Sequence, residues 1–261
     1  MFRFHQNHDW LHQFHPFTLT HACVVVVFLI FVAAIVALRK RDDIASVGPN
    51  RRFMDKSLGW IGLGGAMFVQ ISCLWPSAFD YRTALPLHIC DLMMFIAPAA
   101  LLIRSRPLRA LAYFWGLGLS SLSFIYPDLK FGPGDFQFYV FWTGHAVIVG
   151  TALYDVTGRL YRPHWRDWVF AITCVFVYTA VIFPIDAAFH LNYGYIGQSN
   201  HGMPTPFDAL GGWPQRVPLM MLFAIVVMWL LLVPWLLARK WHVHCNPPDV
   251  AAGGGALPAK G

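Results

Sequence analysis

Glutamate is absent from the 261 residues, and charged side chains of all kinds make up only 12% of the chain. A water-soluble domain of this length needs far more charge to cover its surface, so so little charge excludes the ordinary soluble globular class. Metal-type cysteine spacing is missing as well. Cys23, Cys73, Cys90, Cys174 and Cys245 include no CxxC pair, and their odd number argues against a disulfide framework. The N-terminus, MFRFHQNHDWLHQFHPF, lacks the short basic region and small-residue cleavage site of a signal peptide, so the first hydrophobic run is expected to be retained as a span. No internal repeat, dinucleotide fingerprint or phosphate-binding loop is present. The formal charge of +6 does not point to nucleic acid, because the basic residues fall in short clusters between apolar runs. That pattern suits anionic lipid headgroups.

What is abundant is apolar: 57% hydrophobic residues, 22 Phe and 11 Trp, with a mean hydropathy of +0.52. A spanning helix needs about 20 mostly apolar residues. Seven segments meet or approach this: 19–38, 57–75, 86–103, 108–126, 136–156, 168–186 and 217–237. The sequence therefore predicts an all-α, polytopic membrane helical bundle of about seven transmembrane helices. The glycines of WIGLGGAMF suit close helix contact in the second. Basic residues concentrate in alternate connections: Arg39 to Lys56, Arg104 to Arg109, Arg159 to Arg166, and Arg239 with Lys240. By the positive-inside rule this places the N-terminus outside and the C-terminus in the cytoplasm. The expected division is a short extracytoplasmic segment over 1–18, a transmembrane domain over 19–240 and a flexible tail over 241–261. The long aromatic connection 187–215 is expected to fold back over the outer mouth of the bundle.

Polar groups inside such a bundle are functional candidates by default. PLHICDL opens the third segment with His88, Cys90 and Asp91, and FYVFWTGHAVIVG carries His145 in the fifth. A thiol beside a neutral imidazole supplies a nucleophile and a base, and an acyl-thioester so formed can pass its chain to a hydroxyl. Each residue also has a plainer reading. Cys90 is equally a packed thiol, His145 a structural histidine between helices, and His88 with Asp91 a polar pair or a first-turn cap shaping the helix mouth. Asp186, Asn192 and Tyr193 read as interfacial lining, and Trp142 as packing or an interface anchor. If each segment enters at its first residue, Cys90 lies roughly 6 Å and His145 roughly 13 Å deep. Tilt or a bend near Pro98 has to close that difference for the two to meet on one cavity.

LPLHICDLMMF, FYVFWTGHAVIVGTALYDV and AFHLNYGYIG together resemble the YwaF-type, TMEM164-like family of integral membrane proteins, over about residues 15–240. The resemblance implies a Cys/His membrane acyltransferase site, with the catalytic cysteine at Cys90 and the catalytic histidine at His145. It attaches no chemical role to His88, Asp91, Asn192 or Tyr193. It implies phospholipid or lysophospholipid partners and fatty acyl chains, no cofactor, no metal, and a bacterial cytoplasmic membrane as the setting. The donor, the acceptor, transfer against hydrolysis, and the oligomeric state stay open. The competing readings are a transporter or channel for a small polar solute or ion, a non-catalytic membrane scaffold, and metal-assisted hydrolysis using His88, Asp91, His145 and either His190 or His201. No inverted repeat or broken-helix pair supports transport, and no HExxH-like spacing supports a metal.

Overall fold

Long apolar runs without strand-type alternation can satisfy their backbone only as helices, and the chain does so throughout. The computed structural model describes residues 10–45, 50–76, 79–199 and 206–245. The helices are α1 (Leu19–Ala45), α2 (Asn50–Cys73), α3 (Ile89–Ile103), α4 (Arg106–Leu111), α5 (Phe136–Thr157), α6 (Trp165–Phe189) and α7 (Arg216–Cys245). The predicted all-α architecture with seven helices is thus present. His201 and the tail from residue 246 onward lie outside the described residues.

The number of spans is corrected. Among the described residues only three helices are long and apolar enough to cross a membrane: α5, α6 and the Arg216–Arg239 part of α7. They make the chain an integral membrane protein. The other expected spans fall short for separate reasons. Among the described residues the apolar stretch of α1 is Leu19–Ala34, shorter than a full crossing. α2 begins on the polar run NRRFMDK, and four glycines dilute the apolar stretch that follows. α3 has 15 residues, about 22 Å at the helical rise, against roughly 30 Å of hydrocarbon. The fourth segment is not one helix: six α-helical residues give way to a π-helical stretch (Ala112–Leu117) and then a 3-10 turn (Ser120–Phe124). The inside–outside assignment was counted over seven crossings and goes with that number.

α5 lies at the centre, packed against α1, α3 and the π stretch. Ile148 of α5, Met93 and Ala97 of α3, Phe114 of the π stretch, and Met228 and Leu232 of α7 are fully buried in one core. The glycines of α2 split by face. A methyl group on Gly59 would meet Leu102 at 2.6 Å and one on Gly62 would meet Pro98 at 2.9 Å, so these two do permit close contact with α3. Gly64 and Gly65 face open space.

The two ends of the bundle are held differently. At the end where α3 stops and α6 starts, aspartates tie four helical regions together. Asp55 of α2 pairs with Arg104 at 2.7 Å and Arg159 at 3.5 Å, and accepts from the Tyr154 hydroxyl at 2.7 Å. Asp155 takes Arg109 at 2.7 Å, and Asp167 takes Arg106 through both oxygens. At the other end, residues 11–14 lie against 130–134, with a single bridge between Gln13 and Phe131. There the connection after α6 does fold back over the bundle, pinned by the buried Arg216. Its guanidinium pairs with Asp208, donates to the Ser199 hydroxyl at 2.6 Å, and reaches the carbonyls of Tyr195 and Gly197.

Candidate active site

A cavity of about 600 Å³ opens between α3, the 3-10 turn, α5, α6, α7 and the folded-back connection. Its volume is that of a small-molecule site, and its wall is mostly apolar with a few polar groups. Cys90 and His145 both line it, as do His88 and Asp91. Trp142, Asp186, Asn192 and Tyr193 do not.

Cys90 is the second residue of α3, just past the His88 cap. Its thiol donates to the hydroxyl of Ser120 at 3.6 Å, and Ser120 is fully buried. Among the described residues Cys90 and His145 share a cavity but no hydrogen bond. His145 stands two and a half turns into α5, 8% exposed, with Nδ1 at 2.7 Å from the carbonyl of Phe141 one turn back. A carbonyl only accepts, so Nδ1 carries the proton and Nε2 keeps the lone pair. In its neutral form the ring is therefore held as the tautomer whose free nitrogen, Nε2, can act as a base. His21 offers a contrast. Its Nδ1 accepts from the Phe17 N–H at 3.0 Å and its Nε2 faces the Phe124 carbonyl at 3.1 Å, so both nitrogens are occupied.

The mouth groups are held by backbone. Asp91 accepts from the His88 N–H at 3.2 Å, capping the first turn of α3. His88 accepts at Nδ1 from the Gly194 N–H at 3.2 Å, and burial holds its pKa down at about 4, against 6.5 for the free side chain. Tyr178 donates to the Leu87 carbonyl at 2.6 Å. Tyr195 lines the cavity beside His88, its hydroxyl pKa raised by burial and by the Asp128 carboxylate.

The remaining residues flagged by sequence support the site from outside it. Asp186 is 1% exposed and accepts the Tyr193 N–H at 3.1 Å. The Tyr193 hydroxyl donates to the Tyr81 carbonyl and accepts from the Leu85 N–H, bracing the segment that leads into α3. Asn192 precedes this brace, and its side-chain oxygen has no hydrogen-bond partner among the described residues. Trp142 packs in a second core with Phe14, Leu129 and Phe138, stacked on His21 at 5.7 Å. Sequence reading passed over Ser120 entirely. The only signal was the serine run in GLGLSSLSF, a polar, glycine-punctuated stretch inside an apolar segment. No group of three or more metal-binding side chains occurs among the described residues, so the metal-assisted alternative finds no donor set there.

A model of the TMEM164 family matches residues 10–233, which include every residue lining this cavity. The chain belongs to the TMEM164 family. No curated protein and no solved structure matches it. The matched range extends over α1 to α6 and most of α7, and so covers the elements that build the cavity.

Proposed function

We propose that this TMEM164-family protein transfers or hydrolyses the acyl chains of phospholipid-type esters through an acyl-Cys90 intermediate. The reading rests on one observation: Cys90 and His145, whose Nε2 is the free nitrogen of the neutral ring, line the same apolar cavity. In the first half-reaction the Cys90 S–H bond gives its proton to His145 Nε2, and the sulfur attacks the ester carbonyl carbon. The carbon–oxygen ester bond breaks, and the departing lysolipid oxygen takes the proton back from the imidazolium. In the second half-reaction a hydroxyl of a lysophospholipid, or water, loses its proton to His145 and attacks the thioester. The carbon–sulfur bond breaks and the thiolate is reprotonated. Closing of the cavity around a lipid has to bring the thiol and the imidazole together, as catalytic contacts often tighten only once substrate is bound. The setting we infer is a bacterial cytoplasmic membrane, as the family pattern implies.

Intact-protein mass spectrometry after incubation with phospholipid vesicles tests this. The wild type gains the mass of an acyl chain, neutral hydroxylamine removes it, and Cys90→Ala never acquires it. His145→Gln folds but acylates far more slowly. A stable wild type that stays unmodified across several phospholipid classes, or a Cys90→Ala protein that acylates like the wild type, overturns the reading.

A further inference from the structure

The 3-10 turn after the π stretch carries three serines whose hydroxyls behave differently. Ser121 donates to the Leu117 carbonyl at 2.6 Å and Ser123 donates to the Ser120 carbonyl at 2.6 Å, so both return to the local backbone. Ser120 alone turns its hydroxyl to another side chain, the Cys90 thiol. The preceding backbone makes this possible. The π-helical stretch Ala112–Leu117 takes an extra residue into its turn, which rotates everything downstream relative to a continuous α-helix. That stretch is itself fixed. Trp115 donates from Nε1 to the Ala171 carbonyl at 3.1 Å, and a methyl on Gly116 would meet Ile148 at 3.3 Å.

We infer that Ser120 is a positioning residue for the Cys90 sulfur, set by the π-to-3-10 break, and that its hydroxyl switches from acceptor to donor when the thiol loses its proton. The neutral thiol has a hydrogen to give, and the serine oxygen takes it. Once that proton has gone to His145, the sulfur can only accept, and rotation about the serine Cβ–Oγ bond turns the O–H toward it. A hydrogen bond to an ionised partner is roughly twice as strong as a neutral one, so the switch favours the thiolate. The inference rests on the acyl-Cys90 reading for its purpose, but the Ser120–Cys90 contact can be tested without any lipid.

The test is alkylation of Cys90 by a small neutral maleimide. It uses full-length protein in micelles with Cys23, Cys73, Cys174 and Cys245 replaced by alanine, since only the thiolate reacts. The titratable groups that line the cavity with Cys90 are His88, Asp91, Tyr126, Asp128, His145, Tyr178 and Tyr195, and all are common to the proteins compared. Ser120→Ala should lower the alkylation rate at neutral pH about tenfold and move the pH midpoint up by about one unit, the loss of one charge-assisted hydrogen bond. Ser120→Thr should restore both. A purely structural role gives a different result: a loosened wall admits the reagent faster at every pH with no shift of midpoint. An unchanged midpoint in a Ser120→Ala protein that still binds maleimide at Cys90 overturns the inference. If the midpoint shifts but the wild type never acylates, the acyl-transfer reading fails while the Ser120 contact stands. If the wild type acylates and the midpoint is unmoved, the converse holds.

Discussion

Replacing Gly194 with alanine strikes the mouth of the cavity at the one position where backbone and packing both demand glycine. Gly194 has φ +62°, in the left-handed region, where a side chain costs about 1 kcal/mol or more. The added methyl would also fall against the Tyr178 ring, with Cζ at 3.1 Å and Cε1 at 3.0 Å and the hydroxyl closer still. The ring cannot give way cheaply, because its hydroxyl is tied to the Leu87 carbonyl and Tyr178 is itself 8% exposed. Overpacking of this kind costs about 1–3 kcal/mol, and losing the Tyr178 bond about 1 kcal/mol more. The sum, about 3–5 kcal/mol, corresponds to a melting temperature lowered by on the order of 10 °C for a chain of this size. Thermal unfolding in micelles, followed by tryptophan fluorescence, reads it. Gly65→Ala is the matched control: it lies within α2 with no atom within 4 Å of the added methyl, so helix propensity alone makes it neutral or up to about 1 kcal/mol stabilising. A Gly194→Ala protein that melts with the wild type, or a Gly65→Ala protein that loses as much, refutes the packing argument.

Two further perturbations separate the ends of the bundle. Asp55→Asn leaves Arg159, whose side chain is only 10% exposed, without one of its carboxylates, and loosens Arg104 and Tyr154 as well. Breaking a buried pair in this way should cost about 3 kcal/mol, measured by thermal unfolding, with Cys90 alkylation unchanged because the cavity lies at the other end. His88 makes stability depend on pH. Its folded pKa, about 4, lies below the 6.5 of the free side chain, so between these values the unfolded chain binds more protons. Stability is therefore full above pH 6.5 and falls as pH drops toward 4. His88→Gln should flatten that slope in the melting temperature, and an unaltered slope would assign it to other groups.

The helical class, the boundaries of α5 and the folded-back connection are legible in the sequence because each follows from composition or periodicity, while α6 runs three residues beyond the expected 168–186 at each end. Phe136 does start a helix, capped by Asp135, and the aromatic connection does return over the bundle, held by Arg216. The span count is not legible in the same way. Hydropathy integrates over about 20 residues and takes no account of backbone continuity, so GLGLSSLSF reads as part of an apolar run although it holds a π-to-3-10 break. Apart from the Asp155–Arg159 pair one turn apart, the Asp55, Asp155 and Asp167 pairings join residues 46 to 104 positions apart, and nothing local in the sequence names those partners. Ser120 was invisible for the same reason: its direction is set by the break before it. Trp142 differs again. It lies three residues from His145 on α5, yet its ring belongs to the second core with Phe14, a contact made by the N-terminal segment.

Cys90 and His145 are each held by a partner other than the other. Cys90 leans on Ser120, His145 on the carbonyl one turn back, Asp91 on the helix cap, and His88 on the Gly194 N–H. This arrangement has a physical consequence. A buried polar pair that satisfied itself, thiol to imidazole, would be stable when empty and would have to be broken before a substrate could be engaged. With separate anchors, neither group depends on the other, and the neutral His145 ring keeps Nε2 free of the Phe141 contact. The cost of bringing thiol and imidazole together then falls on whatever fills the apolar space between them. Under the proposed acyl-transfer reading that occupant is an acyl chain, because burying apolar surface in the cavity would supply the free energy and leave the anchored polar groups in place.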